Sequence, residues 1–172
     1  MSSTSTTTPP RRVRVGIVGC GEVTQVIHLP TLIFLSHLFH ITVLCDVSPT
    51  ALAHCSARLP HPHRTVSQAY EVWISKDVDV VFILSPDEFH AKFIVATLFT
   101  GNDVFVEKPM ALTIRDADRI MDAERRSGRR VMVGYMRRYA AAWKDALEEI
   151  GGAGEVAYAR VRGKPQKKNT GE

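Results

Sequence analysis

The stretch Val13-Arg14-Val15-Gly16-Ile17-Val18-Gly19-Cys20-Gly21-Glu22-Val23-Thr24-Gln25-Val26 carries a β-branched apolar run into a glycine-rich corner and leaves it in a helical pattern. That is the layout of a dinucleotide-binding strand, turn and helix. Gly19 permits the tight turn, and Gly21 lets the backbone approach a pyrophosphate where a Cβ would collide with it. The free N–H groups and the positive end of the following helix then favour phosphate charge. The third fingerprint position holds Thr24 rather than glycine or alanine. The motif taken alone therefore also fits an ordinary glycine-containing β-to-α loop.

Outward from this corner, strands and helices alternate. Val13–Val18 reads as strand one, Ile41–Cys45 as strand two and Thr65-Val66 as a short third strand. Asp79–Leu84 is a continuous apolar run, as a strand buried on both faces requires, and Asp103–Val106 and Arg130–Val133 are strands five and six. The helix from Glu22 meets Pro30, which is expected to break or kink it near His28 and to open a second piece to about Leu38. Ser48 and Pro49 fit the N-cap and first turn of a helix to Leu59, and Ser67 is expected to cap another to Ser75. Glu88–Thr100 stops at Gly101-Asn102, and Thr113 caps a helix to Ser127 that Gly128 ends. A last helix spans Tyr139 to Ile150, and the alternation in Glu155–Arg162 is compatible with a seventh strand. The fold class is α/β, a Rossmann-like doubly wound parallel sheet with helices on both faces. Its usual order, 3-2-1-4-5-6, puts a ligand crevice at the carboxyl ends of strands one and four. Residues 1–12 read as a disordered leader, 13–150 as the dinucleotide domain and 151–172 as the start of a missing C-terminal domain and a basic tail.

Composition narrows the partners. With 172 residues, 45% of them hydrophobic, the chain suffices for one globular domain. No apolar run reaches the length of a membrane span, and the N-terminus lacks the apolar core of a signal peptide. Neither a membrane nor nucleic acid is an expected partner. The net charge of +4 comes from Arg160, Arg162, Lys164, Lys167 and Lys168, less Glu172, whereas residues 1–159 are balanced. A neutral body with a basic end is not a basic groove. Cys20, Cys45 and Cys55 form no disulfide framework and suit the reducing cytoplasm. His54, His61, His63 and Cys55 lack metal-ligand spacing, so no metal site is expected.

Three further stretches fall at strand ends. Asp46 closes strand two, somewhat farther from Gly21 than the usual ~20 residues. Its carboxylate suits both hydroxyls of an adenosine ribose and repels a 2′-phosphate, which predicts NAD over NADP; the alternative is a helix-capping aspartate. Ser85-Pro86-Asp87-Glu88-Phe89-His90 ends strand four beside the crevice. Val104-Phe105-Val106-Glu107-Lys108-Pro109 ends strand five. Lys108 can present an ammonium to a substrate hydroxyl and share in proton transfer, or it can be a surface lysine paired with Glu107. Pro109 fixes the turn, where a cis peptide is allowed.

Together with Val133-Gly-Tyr-Met-Arg-Arg-Tyr139, these motifs in this order resemble the N-terminal domain of the Gfo/Idh/MocA family, the glucose-fructose oxidoreductase and inositol 2-dehydrogenase group. The resemblance covers about residues 13–162. It implies NAD, with NADP as an alternative, bound across Gly19, Cys20, Gly21, Glu22 and Val23, across Asp46, across Ser85, Pro86 and His90, and at Glu107 and Lys108. It also implies a catalytic Lys108 beside the nicotinamide, Met136 and Arg138 in the same pocket, and a sugar or polyol substrate. Thr24 departs from the family's small residue, and Ala140 stands where inositol dehydrogenases often carry aspartate. Family members have a second α/β domain that supplies much of the sugar pocket. The resemblance thus implies that these 172 residues bind cofactor without efficient turnover. A non-catalytic NAD(P)-binding regulator or a fragment is the alternative.

Overall fold

The computed structural model describes residues 11–152 and Gly154. The leader up to Pro10, the seventh strand at Glu155–Arg162 and the basic tail lie outside the described residues. Two units are distinguished, residues 1–134 and 135–172.

The first unit is a six-stranded parallel sheet in the order β3-β2-β1-β4-β5-β6. Its strands are β1 (Val13–Val18), β2 (Phe39–Cys45), β3 (Arg64–Val66), β4 (Val80–Ile83), β5 (Asp103–Val106) and β6 (Val131–Val133). Helices α1 (Leu29–Phe34), α2 (Pro49–Ser56), α3 (Tyr70–Trp73), α4 (Asp87–Phe99) and α5 (Ile114–Ser127) lie between them. Strands β1, β2, β4 and β5 each contribute to two apolar clusters, one per face. Val15, Ile17, Ile41 and Leu44 pack with Leu29, Leu32 and Cys55. Val18, Val43, Val81, Ile83, Val104 and Val106 pack with Val72, Ile94, Leu98 and Ile120.

A bulge reconciles β2 with this division. Strict alternation would put Ile41, Val43 and Cys45 on one face. The register instead slips, Val15 facing Ile41 and Gly16 facing Val43, so Thr42 is extra. The slip moves Leu44 to Ile41's face and Val43 to the other. The Thr42 hydroxyl is satisfied by the Asp77 carbonyl at 2.8 Å.

Several helix ends differ from expectation. Pro30 does not break the helix after the glycine corner. Thr24–His28 widens into a π-helix that runs directly into α1, and the Leu29 N–H reaches back to the Thr24 carbonyl. A regular turn would drive the proline ring into the carbonyl four residues back and lacks the N–H to bond it; one extra residue in the turn relieves both. The helix then ends at Phe34 rather than near Leu38. Ser67 caps nothing: α3 starts at Tyr70 after Ala69 and is a single turn. Helix α2 stops at Ser56, short of Leu59. Ser48 and Thr113 do cap, accepting the amides of Ala51 and Asp116.

The second unit, by itself, is a 3-10 turn at Met136–Tyr139 followed by α6 (Ala141–Glu149). The helix begins after Ala140 rather than at Tyr139, and its end is closed by the Gly152 N–H on the Leu147 carbonyl at 2.8 Å.

Candidate dinucleotide site

At the carboxyl ends of the strands the first unit opens a cavity of about 950 Å³. Its wall includes Gly19, Gly21, Glu22, Val23, Asp46, Ser85, Pro86, Glu107 and Lys108. Topology places it there: β1 and β4 are adjacent, and the chain leaves them toward opposite sides of the sheet.

The two corner glycines do different work. Gly19 has φ +103°, and a Cβ on it would lie 2.5 Å from the Leu84 carbonyl oxygen. The corner therefore presses directly against the start of the Ser85 loop. Gly21 has no protein atom within 4 Å of where a Cβ would be, and it borders the cavity. A Cβ there would fill a cradle rather than strike the fold. The amides of Gly21, Glu22 and Val23 open the helix and have no acceptor within it. These features fit an anionic bridging group. Thr24 does not close the corner. It is fully buried, and its hydroxyl donates to the Gly19 carbonyl at 2.6 Å.

Asp46 is tied to the same corner. Its Oδ2 accepts the Cys20 N–H at 2.6 Å and its Oδ1 the Ser48 N–H at 2.7 Å. Each carboxylate oxygen keeps a further lone pair, and the residue lines the cavity. Ser48, not Asp46, caps α2, so Asp46 is not the helix-capping aspartate of the alternative reading. Cys20 contributes differently from expectation: its amide is committed to Asp46, and its side chain is buried in the core, off the cavity wall. Burial pushes the Cys20 thiol well up and the Cys45 thiol up to about 12, so both stay protonated and unreactive.

His90 also stays off the wall. It is fully buried, with Nδ1 2.7 Å from the Pro109 carbonyl and Nε2 2.9 Å from the Ser85 carbonyl. The ring thereby bridges the loops after β4 and β5, of which Ser85, Pro86 and Lys108 line the cavity. The Lys108–Pro109 peptide is cis.

Glu107 does not pair with the Lys108 ammonium. Its Oε1 lies 2.8 Å from Nε2 of His28, and its Oε2 accepts the Lys108 backbone N–H at 3.1 Å. Lys108 itself is exposed at the cavity rim. His28 is the partner that sequence reading missed. Its signal was the lone histidine two residues before Pro30, which the π-turn swings onto β5. The aromatic and cationic wall of Trp73, Phe89, Lys92 and Phe93 was missed as well. Alternation marks those residues as helical faces without saying which face borders a cavity. Met136 and Arg138 lie on the 3-10 turn of the second unit.

The family model described as an oxidoreductase family with an NAD-binding Rossmann fold, Gfo/Idh/MocA, matches residues 13–135. Inositol 2-dehydrogenase 3 of Saccharopolyspora erythraea is 34% identical over 143 residues, which are 83% of this chain and 41% of that protein. An oxidoreductase of Thermotoga maritima superposes with a TM-score of 0.78 at 29% identity, over 82% of this chain and 43% of that one. A scyllo-inositol dehydrogenase of Lactobacillus casei, solved with bound NAD(H) and scyllo-inositol, gives 0.73 at 25% identity, over 82% and 41%. The chain thus spans less than half the length of the curated relatives it matches.

Proposed function

This chain belongs to the Gfo/Idh/MocA family of oxidoreductases and carries its NAD-binding domain, and on that premise we propose how its residues divide the work. The amides of Gly21, Glu22 and Val23 hold the pyrophosphate. Asp46 accepts the adenosine ribose hydroxyls and disfavours a 2′-phosphate, making NAD the cofactor over NADP. Ser85 and Pro86 shape the middle of the cleft, and His90 positions them from behind. Glu107 and Lys108 lie at the nicotinamide end. The nicotinamide, when bound, supplies the hydride chemistry. The chain's part is to orient it and to handle the proton, for which the Lys108 ammonium is the exposed group at the rim. The substrate class is a sugar or cyclitol hydroxyl, and the compartment is the cytoplasm, where three free thiols persist.

The observation that carries this reading is Gly21, open on a cavity beside Asp46 at the β1–β4 switch point. Titration of the 172-residue chain with NAD and NADP, followed by a polyol screen, tests it. Micromolar binding of NAD, about tenfold or more tighter than NADP, is expected, with the preference reduced in Asp46→Asn. Absence of dinucleotide binding removes the reading. Steady NADH production with any polyol would show that the 172 residues complete a catalytic site, against the expectation of binding without turnover.

A further inference from the structure

Glu107 lines the cavity at the end assigned to nicotinamide, His28 lies against it off the wall, and the proposed division of work gives the pair no task of its own. Both Glu107 oxygens are engaged, Oε1 2.8 Å from Nε2 of His28 and Oε2 accepting the Lys108 N–H at 3.1 Å, an arrangement that an ionised carboxylate fits. The two side chains are only 12% and 16% exposed. The imidazole stands edge-on to Phe82 and Phe105, with ring centroids 6.0 and 5.3 Å away. With rings on one side and little water on the other, the field of this carboxylate is screened less than that of a surface acid. Among the described residues no lysine or arginine forms an ion pair with Glu107; Lys108 gives it a main-chain N–H alone. An imidazole in its neutral form, donating through Nε2, would orient the carboxylate without cancelling its charge.

The oxidised nicotinamide ring is a cation and the reduced ring is neutral, while the rest of the two molecules is the same. A fixed carboxylate at that end therefore distinguishes them, and a carboxylate at the phosphate end does not. We infer that Glu107, held by His28, is a specificity-determining residue that biases this site toward the oxidised cofactor. The inference deepens the dinucleotide reading and rests on it. It gives the chain a direction: the resting complex is the one that accepts hydride from an alcohol.

The test is a pair of affinities, for NAD+ and for NADH, measured by calorimetry on the full chain and three variants. The unaltered chain is expected to bind NAD+ at least as tightly as NADH. Glu107→Gln, which keeps the shape and one acceptor, is expected to move the ratio about three- to tenfold toward NADH. His28→Gln keeps a donor to the carboxylate and leaves the ratio unchanged or moves it toward NAD+. Glu22→Gln, at the phosphate end, shifts both affinities by one common factor. A purely structural role for Glu107 weakens both forms together and leaves the ratio within twofold, which overturns the inference. So does an unaltered chain that prefers NADH by more than tenfold, a result available even if Glu107→Gln does not fold. Failure to bind either form would instead count against the dinucleotide reading itself.

Discussion

The two ends of the sheet use charge in opposite ways. At the amino ends of the strands, charged side chains meet one another. Arg14 contacts Asp79 through Nε at 3.1 Å and Nη2 at 2.8 Å, Arg11 joins the same carboxylate at 2.7 Å, and Arg130 reaches Asp103 at 2.8 Å. At the carboxyl ends the titratable groups, the His28–Glu107 pair apart, turn to the main chain. Asp46 takes two amides, Glu107 takes one, and His90 lies between two carbonyls. Charges that pair with each other close a surface. Charges that engage backbone instead shape loops and leave cations free. Among the described residues neither Lys92 nor Lys108, both on the cavity wall, is in an ion pair. One end is built to be finished and the other to receive something.

The sharpest way to break this contrast is within the glycine corner itself, where structure and reception lie two residues apart. Gly19→Ala puts a Cβ at φ +103° against the Leu84 carbonyl, and neither backbone can give way cheaply. Strain and collision together should cost about 3 kcal/mol or more, a large share of a small domain's stability. Urea denaturation reads it directly. Gly21→Ala meets nothing in the fold, so its denaturation midpoint should stay with the unaltered chain while NAD affinity falls about tenfold or more. If Gly21→Ala unfolds the protein, or binds NAD as before, the corner is not divided between fold and ligand as described.

What was legible in the sequence follows the same line. Strand order, the tight turn at Gly19 and the caps at Ser48 and Thr113 are local or topological, and each could be read from a few adjacent residues. The missed features depend on residues distant in the chain. The slip at Thr42 puts Leu44 on Ile41's face, and alternation alone cannot reveal an inserted residue. His28 meets Glu107 only because the turn before Pro30 widens rather than breaks. Proline marked that place as irregular without saying which irregularity would win. His90 looked like a site residue because it follows a strand end, yet its two carbonyl partners place it behind the wall.

The amino end supplies the smallest and most selective prediction. Hydrogen bonds from the Arg14 side chain lower the Asp79 carboxyl to about 2; burial opposes them, and the Arg14 backbone N–H and the nearby guanidiniums assist. An aspartate in the unfolded chain titrates near ~3.9. The folded form is thus the weaker proton binder. Its contribution is fully present above about pH 5 and is lost as pH falls through the folded value near 2. Because the carboxylate is about a third exposed, its worth is reduced by solvent to about 1–2 kcal/mol. Asp79→Asn should lower stability by that amount at pH 7, and the gap to the unaltered chain should close as pH approaches 2. Denaturant titrations at the two pH values measure it. NAD affinity at pH 7 should not move, since Asp79 precedes β4 and the cavity lies beyond that strand's other end. A variant that binds NAD more weakly while folding as well as the unaltered chain would mean that the two ends are electrically coupled through the sheet, and the separation drawn between them would fail.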